Sequence, residues 1–110
     1  MAIETLDDLM ELYRKRFNAE NAEGIDATVQ FHITGEGGGD YVMVIKDQDM
    51  AISKGTAEEA SMTVTSSFQD WMDMNLGKTN PMVSIMSGKV KIKGSVPLAM
   101  KFQSLFFSKD

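Results

Sequence analysis

The stretch from Gly77 to Gly94 constrains the fold more than any other part of the chain. It reads Gly77-Lys78-Thr79-Asn80-Pro81, then Gly88-Lys89-Val90-Lys91-Ile92-Lys93-Gly94, and Leu98-Ala99-Met100-Lys101-Phe102-Gln103 follows shortly after. Glycine ends a helix because it tolerates positive φ, and asparagine before proline is an N-cap with proline at the first helical position. The segment therefore predicts helix stop, helix start, helix stop, strand, turn and helix in fixed order. It carries no nucleophile, no paired acid and base and no metal-ligand spacing, so it reads as the wall of a container.

Hydrophobic periodicity supplies the other elements. Thr5 with Asp8 three residues on is a capping-box-like start, and Leu6, Leu9, Met10, Tyr13 and Phe17 recur at helical spacing, so a first helix is expected to run to about Asn21. Ala27, Val29, Phe31 and Ile33 alternate with Thr28, Gln30, His32 and Thr34, a period of two that turns one apolar face inward. Gly35 to Asp40 reads as a hairpin connection, and Tyr41 to Lys46, apolar on both faces, as a covered central strand. Short strands follow at Met50 to Lys54 and Met62 to Thr65. Ser67 with Asp70 repeats the capping signature before Phe68, Trp71, Met72 and Leu76, and Met82, Ile85 and Met86 stripe the next helix.

In the fifth strand Lys89, Lys91 and Lys93 alternate outward with Val90 and Ile92 inward. A last helix is expected from about Val96 or Pro97 to Phe107. The element order predicts an α+β domain over residues 1–110, a mainly antiparallel five-stranded sheet covered on one face by helices. The length of 110 residues suits one core and is too short for two.

Composition narrows the function. Zero cysteines exclude disulfides and thiol chemistry. Eleven basic against sixteen acidic residues disfavour general nucleic-acid binding. The halves differ: residues 1–55 hold five basic and eleven acidic residues, residues 56–110 six and five, so an anionic headgroup or membrane surface is expected to meet the second half. The start, Met1-Ala2-Ile3-Glu4, lacks the basic flank and apolar run of a signal peptide, and no apolar stretch reaches membrane-spanning length. A soluble cytoplasmic protein is the expectation.

Two features point to an apolar pocket. Projected at roughly 100° per residue, the last helix confines Lys101, Ser104 and Ser108 to a narrow polar stripe, and Gln103 falls inside the apolar arc, where an amide needs a partner or contacts a ligand headgroup. Ten methionines in 110 residues is high, and Met62, Met72, Met74, Met82, Met86 and Met100 cluster in the second half, where flexible side chains suit varied shapes. Other candidates read more plainly. Gly35, Gly37, Gly38 and Gly39 link two strands with no helix N-terminus to cradle phosphate. Asp47 and Asp49 form a solvated turn, and His32, without an evident partner, is sheet decoration. Lys89, Lys91 and Lys93 either protect an edge strand or, with Lys78 and Lys101, attract an anionic headgroup or membrane.

The three motifs quoted above, together with Ala60-Ser61-Met62-Thr63-Val64-Thr65 and Phe68, resemble the sterol carrier protein (non-specific lipid-transfer) family over roughly residues 60 to 106. Pro97 stands where a glycine is common, and Ser108-Lys109-Asp110 departs from the peroxisomal Ser-Lys-Leu type of signal.

The resemblance implies a hydrophobic tunnel between sheet and helices that holds fatty acids, fatty acyl-CoAs, sterol-like molecules or phospholipids, without catalysis, metal or cofactor. On this chain the expected lining is Phe31, Met62, Trp71, Met72, Leu76, Met82, Ile85, Met86, Leu98, Phe102, Gln103 and Phe106. A tunnel of roughly 400 Å³, left empty, would cost on the order of 10 kcal/mol at ~24 cal/mol per Å³, rivalling the whole stability of a domain, so it should be occupied, flooded or collapsed. The alternative function is a dimerising or accessory module, a homodimer or a partner chain capping Leu105, Phe106 and Phe107. A small enzyme ranks last, since no convergent acid, base or nucleophile is present.

Overall fold

A threonine hydroxyl starts the first helix. In the computed structural model, which describes residues 3–95, 97, 98, 101 and 105, the Asp8 amide donates to Thr5 Oγ1 at 3.1 Å and the Thr5 amide donates back to the Asp8 carboxylate at 3.2 Å. This reciprocal box satisfies two of the orphan N–H groups at the head of α1, Leu6–Arg16. Leu6, Leu9, Met10 and Tyr13 form its buried stripe. The helix stops five residues before the expected Asn21, because Phe17 is already extended and Asn18 draws the chain into a turn by accepting from the Asn21 amide at 3.0 Å.

The strands are β1 Ala27–Thr34, β2 Gly39–Lys46, β3 Asp49–Lys54, β4 Met62–Ser67 and β5 Val90–Gly94. They form one five-stranded sheet in the order β3-β2-β1-β4-β5. Only the β1–β4 pair is parallel, and β1, not β2, is central. Consequently β2, expected to be covered on both faces, leaves Val42 half-buried and Val44 exposed on its outward side. The β2–β3 hairpin turns on Asp47 and Gln48, both at positive φ, as a two-residue turn matched to strand twist requires.

Glycine is demanded by close approach at Gly38, where a Cβ would lie 2.1 Å from the Ile33 carbonyl oxygen, and at Gly94, where it would lie 2.3 Å from that of Ser61. Gly94 also has φ of 107°, a conformation other residues rarely adopt.

Between β3 and β4 the chain must travel from the sheet edge past β2 and β1. Gln30, on the outward side of β1, holds this crossover. Its amide nitrogen donates to the Gly55 carbonyl at 3.1 Å and its oxygen accepts from the Ala57 amide at 2.7 Å, and the residue is buried as a result. The helices gather on the opposite face, where Tyr41 donates to Asp7 of α1 at 2.7 Å. α2, Phe68–Asn75, starts at Ser67, whose hydroxyl accepts from the Asp70 amide, and α3, Pro81–Met86, starts at Asn80, whose side chain accepts from Met82 and Val83. Of the expected last helix, Pro97, Leu98, Lys101 and Leu105 are helical. The Leu98 amide donates to Ser95 Oγ at 3.2 Å, and the Leu105 carbonyl accepts from the Asn18 amide at 2.7 Å, tying this segment to the end of α1.

Candidate functional site

The inward face of the sheet is an unbroken apolar layer because register puts like beside like. Phe31 lies at its centre, opposite Tyr41 on one side and Val64 on the other, with Val29, Met43 and Met62 in the neighbouring row. All of these are buried. α2 lies against β1 and β4 and presents Trp71 and Met72, so that the Trp71 indole is tilted at 56° to the Phe31 ring with centroids 5.7 Å apart. That offset, tilted geometry is the favoured one for an aromatic pair.

Polar groups enter this layer sparingly. Tyr13 of α1 donates its hydroxyl to Asn75 Oδ1, and Asn75 Nδ2 donates to the Trp71 carbonyl at 2.7 Å, so an amide at the end of α2 ties the two helices together. Burial pushes the Tyr13 phenol well above its ordinary range, opposed by its bond to Asn75. Tyr41 is pushed up to about 12, by burial first and then by its bond to Asp7 and the charge there. The Trp71 indole N–H is buried and meets no acceptor among the described residues. Leaving such a donor unmatched costs about 1–3 kcal/mol.

The structure divides the expected lining residues into three groups. Phe31, Met62, Trp71, Met72 and Leu98 are buried in one apolar cluster, joined there by Leu105. Phe102, Gln103 and Phe106 lie outside the described residues. Leu76, Met82, Ile85 and Met86 stand on the surface.

For the three on α3 the reason is that helix's orientation: its inward residue is Ser84, 1% exposed, while Met82 is 65%, Val83 60%, Ile85 40% and Met86 81% exposed. Ser84 is held there by its hydroxyl contact with Thr79 Oγ1 at 3.1 Å. A helix of six residues with four large apolar side chains shows apolar character over much of its circumference, so periodicity alone does not say which side faces in. The single small polar residue opposite them was the available signal.

Lys78, Lys89, Lys91, Lys93 and Lys101 are all exposed. Lys91 and Lys93 lie on β5, an edge strand, opposite Thr65 and Thr63, whereas Lys89 precedes the strand in the turn after α3. His32 does have a partner, contrary to expectation: Nδ1 is 3.0 Å from Asp40 Oδ1, the residue opposite it on β2. Among the described residues no cluster of histidine, aspartate and glutamate could hold a metal ion, and no helix is long and apolar enough to cross a membrane.

The profile of the SCP-2 sterol transfer family matches residues 6–107. The chain belongs to the SCP-2 sterol transfer family. Membership carries the family's general association with lipid binding and transport. The SCP-2 unit is 28% identical over 101 residues to hydroxysteroid dehydrogenase-like protein 2 of Rattus norvegicus, covering 91% of this chain and 19% of that protein. The chain thus spans about a fifth to a quarter of the length of the curated relatives it matches, 19% for the rat protein and 24% for the Bos taurus one.

Among solved structures it is similar to the sec-alkylsulfatase Pisa1 from Pseudomonas sp., with a TM-score of 0.82 and 20% identity over 97% of this chain and 17% of that one. It is also similar to palmitated SCP2L2 from Aedes aegypti, with a TM-score of 0.73 and 19% identity over 92% of this chain and 93% of that one. These two likenesses establish the SCP-2 fold, in which an SCP-2-like unit stands nearly alone in one case and forms a small part of an enzyme in the other.

Proposed function

We propose that this chain is a non-catalytic lipid carrier, taking a fatty acid, fatty acyl-CoA, sterol-like molecule or phospholipid between the apolar face of its sheet and the helices above it. The observation that supports this most is the SCP-2 match across residues 6–107. The chemistry fits: Phe31, Met62, Trp71, Met72 and Leu98 supply a buried apolar lining into which an acyl chain can be received. Phe102, Gln103 and Phe106 complete the lining in this reading. The palmitated relative from Aedes aegypti makes a fatty acid the first ligand to test. Anionic membranes are the proposed source and destination of the cargo, met by the basic second half of the chain.

Organic extraction of the purified protein followed by mass spectrometry tests the reading directly, alongside a melting curve with and without fatty acid. Co-purified lipid and a melting temperature that climbs with ligand concentration are expected, because a ligand bound only by the folded state stabilises it by mass action. No lipid and no shift would reject it.

A second reading, an accessory or dimerising module beside an enzyme, is favoured by one fact: matching units form only 19% and 17% of the rat relative and of the Pseudomonas alkylsulfatase. Light scattering with and without fatty acid separates the two. A dimer indifferent to ligand belongs to the second reading, a monomer that binds fatty acid to the first.

A further inference from the structure

We infer that α3 is the element by which this protein docks on an anionic lipid surface. The inference deepens the carrier reading by naming where the membrane is met, and it stands on the construction of α3 itself. Placed at roughly 100° per residue, Met82, Val83, Ile85 and Met86 share one broad arc and Ser84 stands opposite its middle. In the structure the arc is the outward side and Ser84 is the buried one, so α3 is amphipathic with its apolar side toward solvent. Leu76, just after α2, is exposed as well.

Charge around the helix selects the occupant. Lys78 lies in the turn before α3 and Lys89 in the turn after it, both exposed. Residues 74–108 contain five lysines and no aspartate or glutamate, which leaves all sixteen acidic residues elsewhere. An anionic surface would attract this segment and repel the rest, orienting the molecule α3 first. Apolar side chains entering the boundary between headgroups and acyl chains, flanked by a lysine at either end, are the features of an interfacial helix. Methionine, flexible and unbranched, adapts to a disordered lipid neighbour.

A second copy of the chain fits worse. Two α3 faces brought together would set lysines beside lysines with no carboxylate in the segment to pair them. Six residues rise only about 9 Å, too little for the roughly 800 Å² per partner of a stable interface.

The test is co-sedimentation of the full chain with phosphatidylcholine vesicles with and without phosphatidylglycerol. Wild type should bind the vesicles containing phosphatidylglycerol, more weakly as salt rises. The pair Met82→Ser and Met86→Ser, and separately Lys78→Gln with Lys89→Gln, should each lower that binding by about tenfold, and Met82→Leu with Met86→Leu should retain it. Because both methionines are exposed, melting temperatures should stay at the wild-type value, which excludes misfolding as the cause.

A fluorescent fatty acid titrated without vesicles reads the carrier function separately: if it fails to bind while vesicles still do, the carrier reading falls and the docking stands. Wild type that ignores phosphatidylglycerol, or a serine pair that sediments as well as wild type, overturns the inference. So does light scattering that finds a dimer dissolved by the serine pair, since a second copy would then own the surface.

Discussion

The Trp71 indole rests against the Phe31 ring with centroids 5.7 Å apart, and its N–H points to no acceptor among the described residues. The two residues therefore contribute differently. Phe31→Ala should cost about 3–5 kcal/mol, as truncation of a fully buried phenylalanine does. Trp71→Phe loses volume but also removes an unmatched donor, so its cost should stay below about 2 kcal/mol. Urea denaturation of both variants checks this, and equal costs would show that the indole N–H has a partner.

Gln30 and Ala57 carry the crossover between β3 and β4. Gln30→Met keeps the length of the side chain but strands the Ala57 amide and the Gly55 carbonyl, which the Gln30 amide now satisfies. We expect about 2 kcal/mol of destabilisation from the unmatched groups, together with faster amide exchange at Ala57. Exchange at Ala57 unaltered by the substitution would mean the crossover is held by something else.

Gln30 also marks where sequence stops being legible. The alternation of Ala27, Val29, Phe31 and Ile33 identifies β1 and its inner face, and the outward position of Gln30 follows. That another segment lies over it does not, because burial there is created by a connection whose path depends on strand order, and strand order is a long-range property. The same limit explains β2, whose outward valines suggested a central strand although β1 holds the centre.

Local signals did better: the box at Thr5, the N-cap at Ser67 and the Asn80-Pro81 start all name real helix N-termini. α1 overran because Phe17 continues the apolar spacing while its backbone has already left the helix. At the site, Phe31, Met62, Trp71, Met72 and Leu98 were legible as apolar positions on elements facing the core. α3 was not, since its orientation is fixed by Ser84 and Thr79 packing inward and not by its greasy residues.

Two titrations bound the pH range of stability. Asp8 is held below the usual carboxylate range, first by the Glu4 amide; desolvation opposes this, and the bonds to the Thr5 amide and hydroxyl add to the lowering. A carboxyl depressed in the folded state stabilises it above the unfolded value and loses that contribution as pH falls through the folded one. The head of α1 should therefore loosen in acid below about pH 4, and Asp8→Asn should flatten that acid limb of the melting curve. Tyr41 shows the opposite sign: raised to about 12 in the fold, its phenol favours the folded state up to the unfolded value near pH 10 and loses that contribution as pH climbs toward the folded one. With Tyr13 raised as well, tyrosinate absorbance should be nearly absent in native protein at about pH 10.5 and develop as the chain unfolds. Half-developed absorbance there with intact circular dichroism would contradict the placement of at least one of the two phenols.

The lysines of the β5 region admit two roles that one variant set separates. Lys91 and Lys93 lie on the free edge of the sheet, where charge of either sign discourages a second sheet from adding on. Lys89→Glu, Lys91→Glu and Lys93→Glu together preserve that protection while reversing the field toward an anionic membrane. The triple variant should stay monodisperse, bind fatty acid in vesicle-free solution within about twofold of wild type, and transfer it from anionic vesicles at least tenfold more slowly at low salt, the order expected when steering is reversed. Lys91→Val with Lys93→Val should do the reverse at the edge: self-association on concentration, because two β-branched residues now face outward on an edge strand. If the triple reversal transfers at the wild-type rate while the valine pair aggregates, the lysines guard the edge and the membrane is met elsewhere.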